Sequence, residues 1–307
     1  MVSLSEVRSS NAALPRGQGT LTAVFVGATS GIGLATLRSY ATHISNPTAL
    51  IIGRNRSKFA SELGNLRSLN PAGSFTFLEA DVSLIKNIDA VCESIKQQLS
   101  GAKVDLVYLS QGYVGFNGRE TNAEGLDNSF SLRYYGRIRF ASRLAPLLTP
   151  NGRVVSVLGG GQEGKMIEDD LDLERNYSVG QAMVHSATLH SLSFDQLAKQ
   201  YPDKAFIHAF PGLASTGLLG HSATGVLGVA FKWIVEPLMS LFVAKPADVG
   251  ERMLYYGTAP QFQRGSWTLN EKGEAKEVAA LKEYREKGWA EKVGEFNVKM
   301  FERALQV

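Results

Sequence analysis

The feature that most constrains this chain is an alternation, repeated along most of its length, of a short apolar run with a longer segment of helical periodicity. "TLTAVFVG" precedes 32–44, "TALIIG" precedes 56–66, "SFTFLEA" precedes 84–99, "VDLVYLS" precedes 124–148 and "GRVVSVLG" precedes 177–200; "AFIHAF" and a last strand near 266–269 come after these. Runs this apolar are strands covered on both faces, and a helix between successive strands returns the chain for parallel pairing. The predicted fold is α/β: one doubly wound parallel sheet of about seven strands with helices on both faces. Residues 1–20 read as an N-terminal extension and 21–270 as the sheet domain. The domain includes an insertion at 213–246 that breaks the alternation as a lid or substrate segment. Residues 271–307 read as a helical tail, amphipathic over 274–305.

Composition narrows the function classes. A chain of 307 residues with 44% hydrophobic content can bury a full core. Its 32 basic and 29 acidic residues are interspersed, leaving a net charge of +3 and no basic run to track a nucleic-acid backbone, so a small-molecule substrate is expected and nucleic acid is not. The single cysteine, Cys92, can form no internal disulfide, and the first residues lack the apolar core of a signal peptide, which points to a reducing, cytoplasmic setting. The apolar run at 226–244 is broken by Lys232, Glu236 and Pro237, so no spanning segment is expected. With Ser240 these residues form a narrow polar stripe that suits a lid, a partner helix or shallow membrane contact. The insertion and the tail are the expected places for trimming a site or for contacts in a homo-oligomer.

The first strand ends in "VGATSGIGLAT", which sets Gly27, Gly31 and Gly33 at a strand-to-helix turn. Glycines there allow a tight turn and let backbone amides approach a pyrophosphate at the positive end of the next helix. Three further segments come in order: "EADVS" with Asp81, "YLSQG" ending in Gly112, and "FPGLAST" with Pro211, Gly212 and Thr216. Over about residues 20–216 this set resembles the short-chain dehydrogenase/reductase family, whose fold is the Rossmann-type sheet. "GGGQEGKM", "NYSVGQ" and "HAFPGL" look like a divergent branch among fungal biosynthetic enzymes. The resemblance implies a dinucleotide held by Gly27, Thr29, Ser30, Gly31, Ile32 and Gly33 at the turn and by Arg54 and Asn55 after the second strand. Asp81 and Val82 would lie by the adenine, Ser110, Gln111 and Gly112 after the fourth strand, and Pro211, Gly212, Leu213 and Thr216 by the nicotinamide carboxamide. The second strand ends in "IIGRNRSK" with no carboxylate to hold a ribose 2′-hydroxyl. A guanidinium can fork onto a 2′-phosphate instead, so NADP(H) is the expected cofactor.

Ordinary members of this family work with an asparagine, a serine, and a tyrosine and lysine spaced Tyr-x-x-x-Lys. Here the resemblance retains Tyr177 alone: Gln181 stands for the lysine, Gly159 for the serine and Arg133 for the asparagine. An unassisted phenol with a pKa of about 10 is a poor general base at neutral pH but a competent donor to an oxygen gaining negative charge. Reduction of a carbonyl or enone is therefore the expected direction. A non-redox catalyst (cyclase, dehydratase or isomerase) and a non-catalytic NADP(H)-binding protein are the alternatives. Arg133 either brings a cation near Tyr177 or a substrate oxyanion, or faces outward on a subunit-contact helix with Arg137 and Arg143. His185, on the helical face of Gln181, either relays protons or packs the helix. His208 and His221 fit no metal spacing, and no metal site is expected. The glycines at 159–161 either make room for a large substrate or form a flexible turn.

Overall fold

A computed structural model describes residues 2–14, 20–113, 115, 118–212 and 245–307. Seven parallel strands form one sheet in the order β3-β2-β1-β4-β5-β6-β7. They are β1 (Leu21–Val26), β2 (Pro47–Gly53), β3 (Ser74–Glu79), β4 (Val104–Leu109), β5 (Leu148–Val157), β6 (Ala205–Ala209) and β7 (Gly265–Leu269). The direction of winding reverses between β1 and β4, and the crevice outside their carboxyl ends is where such sheets take ligands.

The strict alternation of side chains along each strand divides the core in two. Val24 and Val26 of β1, Leu50 and Ile52 of β2, and Val107 and Leu109 of β4 enter one core. There they meet α4 (Ile85–Leu99), α6 (Gly136–Leu144) and α7 (Val179–Gln200). Ala23 and Phe25, Ala49 and Ile51, and Leu106 and Tyr108 enter the other. That core is closed by α2 (Gly31–His43), α3 (Arg56–Leu69) and α8 (Pro246–Thr258). Full burial of each of the larger of these side chains contributes about 1.5–3 kcal/mol, and that demand on both faces is why the strands read as unbroken apolar runs.

The structure adds elements that periodicity alone does not reveal. The N-terminal extension contains α1 (Leu4–Ala12), begun by a capping box between Ser3 and Glu6. Asn11 of α1 donates to the Glu251 carboxylate at 2.7 Å, and Ser39 and His43 of α2 reach the same side chain at 3.1 and 3.0 Å. Helix α8 thus clamps α1 and α2 together. The tail is two helices, α9 (Ala279–Glu286) and α10 (Trp289–Leu305), because Gly288 turns the chain left-handed at φ 71°. Arg285 docks α9 on Asp195 of α7 through two bonds of 2.8 and 2.9 Å.

The expected helix over 124–148 is the largest departure. It opens as a single turn, α5 (Asn128–Phe130), continues as a π-helical turn over Ser131–Tyr135, becomes α6, and ends in a 3₁₀ turn at Ala145–Leu147. Gly136 donates its N–H to the Ser131 carbonyl five residues back. A Cβ at 136 would come within 2.9 Å of that carbonyl and 3.1 Å of Ile88 on α4, so glycine lets the wider turn lie against its neighbour. The extra residue of a π turn is a local cost that is common at functional sites. Arg133 sits inside it.

Candidate active site

The turn between β1 and α2 is built by contact as much as by backbone freedom. Gly27 has φ 82°, and a Cβ there would approach the Gln111 amide nitrogen to 2.3 Å; a Cβ at Gly33 would meet the Ser110 hydroxyl at the same distance. Ser110 closes the contact by donating from both its amide and its hydroxyl to the Val26 carbonyl, at 2.9 and 3.1 Å. Thr29 and Ser30 are exposed, Gly31 and Ile32 half-buried, and the Ser30 side chain does not cap α2. The first amides of α2 therefore remain available to an anion.

At the end of β2, Arg54 is exposed and has no hydrogen bond or ion pair among the described residues. Asn55 caps α3 by accepting from the Lys58 amide at 2.8 Å. Arg56 is committed elsewhere, with its guanidinium on the Phe77 carbonyl at 2.6 Å and its amide on Glu79 at 2.7 Å. Asp81, just past β3, accepts from the Ser83 amide at 3.0 Å, and Val82 is buried beside it. After β4, Gln111 is buried, and neither of its side-chain amide atoms has a partner among the described residues. Pro211 and Gly212 come directly after β6, whereas Leu213, Thr216 and His221, with the insertion over 213–244, lie outside the described residues.

Tyr177 immediately precedes Ser178, the N-cap of α7, whose hydroxyl accepts from the Gln181 amide at 3.2 Å. The loop that delivers Tyr177 is wound on Asp170, which accepts from the amides of Glu174, Arg175 and Asn176 and from the Asn176 side chain. Tyr177 is half-buried, and its phenol is pushed above its ordinary value first by burial, then by Asp127 and Tyr113; Arg133 pulls the other way and Glu120 pushes up again. No lysine is among these groups. Gln181, half-buried in the first turn of α7, has the hydrogen-bonding amide but not the charge of a lysine.

Arg133 is not an outward-facing residue. It is 9% exposed, and burial draws its guanidinium down to about 10, so it stays charged at neutral pH. Arg137, four residues on, is also buried, but four acceptors satisfy it. Its Nε meets the Gln111 carbonyl at 3.0 Å and its Nη1 meets the Leu109 carbonyl, the Ser156 hydroxyl and the Val157 carbonyl at 3.1, 2.9 and 2.8 Å. It ties the ends of β4 and β5 under the crevice. Arg143, by contrast, lies at the surface with Glu93 at 2.6 Å.

A Cβ at Gly159 would sit 3.3 Å from the Ala187 Cβ, a tight contact that a shift of a few tenths of an ångström relieves. Its amide donates to His208 Nε2 at 2.9 Å. That bond leaves the imidazole proton on Nδ1, which donates to the Ser191 hydroxyl at 2.7 Å; Ser191 in turn donates to Glu163 at 2.7 Å. Sequence reasoning missed this buried chain, and the only signal for it was polar residues on the inner face of α7. His185 belongs to the same seam. It is wholly buried and accepts the Ile167 amide at 2.9 Å, as a packing histidine does. Thr188 holds Gly164 through both amide and carbonyl at 3.0 and 2.9 Å.

A family model described as short chain dehydrogenase matches residues 21–166. An oxidoreductase of Emericella nidulans is 43% identical over 258 residues, spanning 83% of this chain and 77% of that protein. A short-chain dehydrogenase/reductase of Stachybotrys chartarum is 30% identical over 289 residues, or 87% and 80% of the two chains. Among solved structures, an alcohol dehydrogenase from the archaeon Thermococcus sibiricus, complexed with 5-hydroxy-NADP, is similar with a TM-score of 0.61 at 16% identity, covering 85% of this chain and 100% of that one. An angucycline C-6 ketoreductase with bound NADP gives 0.60 at 16% identity over 82% and 93%. These two structures share the fold, the fungal proteins share the sequence across most of their own lengths, and the chain belongs to the short-chain dehydrogenase/reductase family.

Proposed function

We propose that this oxidoreductase is an NADP(H)-dependent reductase of a carbonyl or conjugated enone in a medium-to-large substrate of secondary-metabolite type, with Tyr177 as the hydrogen donor. The observation that carries the proposal is the environment of Tyr177: a half-buried phenol held protonated by burial and by Asp127. Such a group donates well to a developing oxyanion and accepts protons poorly.

The residues present fit the dinucleotide. The uncapped first turn of α2 suits a pyrophosphate, Arg54 with no partner among the described residues suits a 2′-phosphate, and the orphan amide of Gln111 offers a donor and an acceptor in the crevice. Asp81 and Val82 would lie by the adenine, Gly112 with Gln111 after the fourth strand, Pro211 and Gly212 by the nicotinamide, and Gln181 on its ribose. Bound NADPH supplies a hydride. Tyr177 would give its proton to the substrate oxygen as that oxygen gains negative charge, and the phenolate would then regain a proton from water. The glycines at 159–161 serve close packing rather than substrate space: a Cβ at Gly160 would run into the His208 carbonyl, and one at Gly161 would lie 3.0 Å from the Lys276 Cδ.

The test is NADPH oxidation by the purified protein against a panel of cyclic ketones and enones. Turnover with Tyr177→Phe at less than about one hundredth of the native rate is expected, and an unchanged rate in that variant rejects the proposal. One observation favours a second reading, a non-redox catalyst: the Gly159 amide, at the family's serine position, is taken by His208 and cannot serve a carbonyl oxygen. Product formation without cofactor would support it. Tight NADPH binding without turnover of any substrate would favour the non-catalytic alternative.

A further inference from the structure

Arg133 and Arg137 make an instructive pair, because the same burial is answered in one and not in the other. Arg137 spends its guanidinium on backbone carbonyls and a serine. Among the described residues Arg133 makes one hydrogen bond, from its Nη2 to the Ser186 hydroxyl at 3.5 Å, and its Nε has no partner. Among those residues no carboxylate pairs with it either; besides burial, the group acting on it is the Tyr177 phenol. Both arginines lie against Gly112, just past the end of β4, where a Cβ would be 3.4 Å from the Arg133 Cγ and 3.4 Å from the Arg137 Nη2, and the Tyr177 phenol is close enough to act on the Arg133 charge. Asp127 is no counter-ion to it, being occupied by the amides of Phe130 and Glu120 at 2.8 and 3.1 Å. A buried, unpaired guanidinium is costly to keep, and a ligand that brings the opposite charge removes that cost.

We propose that Arg133 binds an ionised acid on the substrate, a carboxylate or the enolate of a 1,3-dicarbonyl, and so makes the enzyme select anionic over neutral carbonyl compounds. The planar guanidinium forks onto either oxyanion, and Arg137 acts as a positioning residue that fixes the β4 and β5 ends around it. The acid then lies within reach of the Tyr177 phenol, which places the reacting carbonyl next to it in the same molecule. The inference rests on the reductase proposal for the chemical step after binding, but binding itself can be measured apart from turnover.

The experiment is calorimetric titration of the protein, with and without saturating NADP, using benzoate and dimedone as anionic probes and benzamide and cyclohexanone as their neutral counterparts. Benzoate or dimedone is expected to bind at least about thirty-fold more tightly than its neutral counterpart, a preference lost in Arg133→Gln and partly kept in Arg133→Lys. NADPH affinity should stay within about three-fold in both variants, which also reports that they are folded. Binding by benzoate alone assigns a carboxylate, and binding by dimedone alone an enolate. Equal affinity for charged and neutral probes, or an unchanged preference in Arg133→Gln, overturns the inference even if reduction is intact. Failure of NADPH to bind would instead strike the reductase proposal and leave the probe titrations standing.

Discussion

The two halves of the crevice are built on different principles. The β1–α2 side is made of backbone: Gly27 and Gly33 allow the chain to close on Ser110 and Gln111, and the amides of α2 are left uncapped. The side formed by the π turn, the end of β5 and the start of α7 is made of side chains. In the proposed reading its cation has changed helices relative to the family pattern. Where a lysine is expected at 181 there is a neutral glutamine, and where an asparagine is expected at 133 there is a buried arginine. A backbone-built site tolerates drift in its surroundings. A side-chain site can be re-equipped without disturbing the sheet beneath it.

Breaking the side-chain half should give the largest effect. Tyr177→Phe is expected to lower kcat by about a hundred- to ten-thousand-fold with NADPH affinity unchanged, as measured by steady-state kinetics and fluorescence titration. On the backbone half, Arg54→Ala should weaken NADPH by about ten- to a hundred-fold and leave NADH alone; equal losses for both cofactors would remove the 2′-phosphate from Arg54. Placing the family's residues at the proposed positions with Gly159→Ser and Gln181→Lys together should raise NADP-dependent alcohol oxidation above the native level, with its pH profile moved toward neutrality. The serine is feasible because its Cβ needs only a few tenths of an ångström from Ala187.

The smallest effect sharpens how the side-chain half is held. His190, wholly buried between Phe194 and His208, has no partner on either ring nitrogen among the described residues and is pushed well below the usual histidine value by burial, then by His208 and Arg137. Burial lowers His185 as well. Both titrate more readily unfolded than folded, so the unfolded chain binds the extra protons and stability falls as pH drops below the unfolded histidine value of about 6.5. The unfolding free energy from denaturant titrations should decline by about 1 kcal/mol per pH unit below pH 6, and His190→Phe should flatten that slope. An unchanged slope would show that the acid sensitivity comes from carboxylates such as Asp170, which its hydrogen bonds with Asn176 hold low against burial.

The sheet was legible because its signal is repeated and physically redundant: each strand is apolar on both faces and each crossover carries a helix. The boundaries fixed by single contacts were not. Helix α8 depends on Glu251 meeting Asn11, Ser39 and His43, partners more than two hundred residues away, and periodicity cannot report them. The π turn was invisible because Gly136 reads in sequence as an ordinary helix glycine, and only its contact with Ile88 and the Ser131 carbonyl reveals why it is needed. In the proposed site, the glycine turn was read from its place after the first strand and Tyr177 from the family resemblance. The His208–Ser191–Glu163 chain could not, since it joins β6, α7 and the segment after β5 through side chains with no common motif.

The state of one hydroxyl tests the account most directly. In protein labelled at tyrosine ¹³Cζ, the Tyr177 resonance, identified by its absence in Tyr177→Phe, should keep its protonated shift beyond about pH 10, with NADP bound or not. A transition at or below about pH 8 would mean that a cation has activated the phenol as a base, and the reductive, donor-only role proposed for Tyr177 would be contradicted.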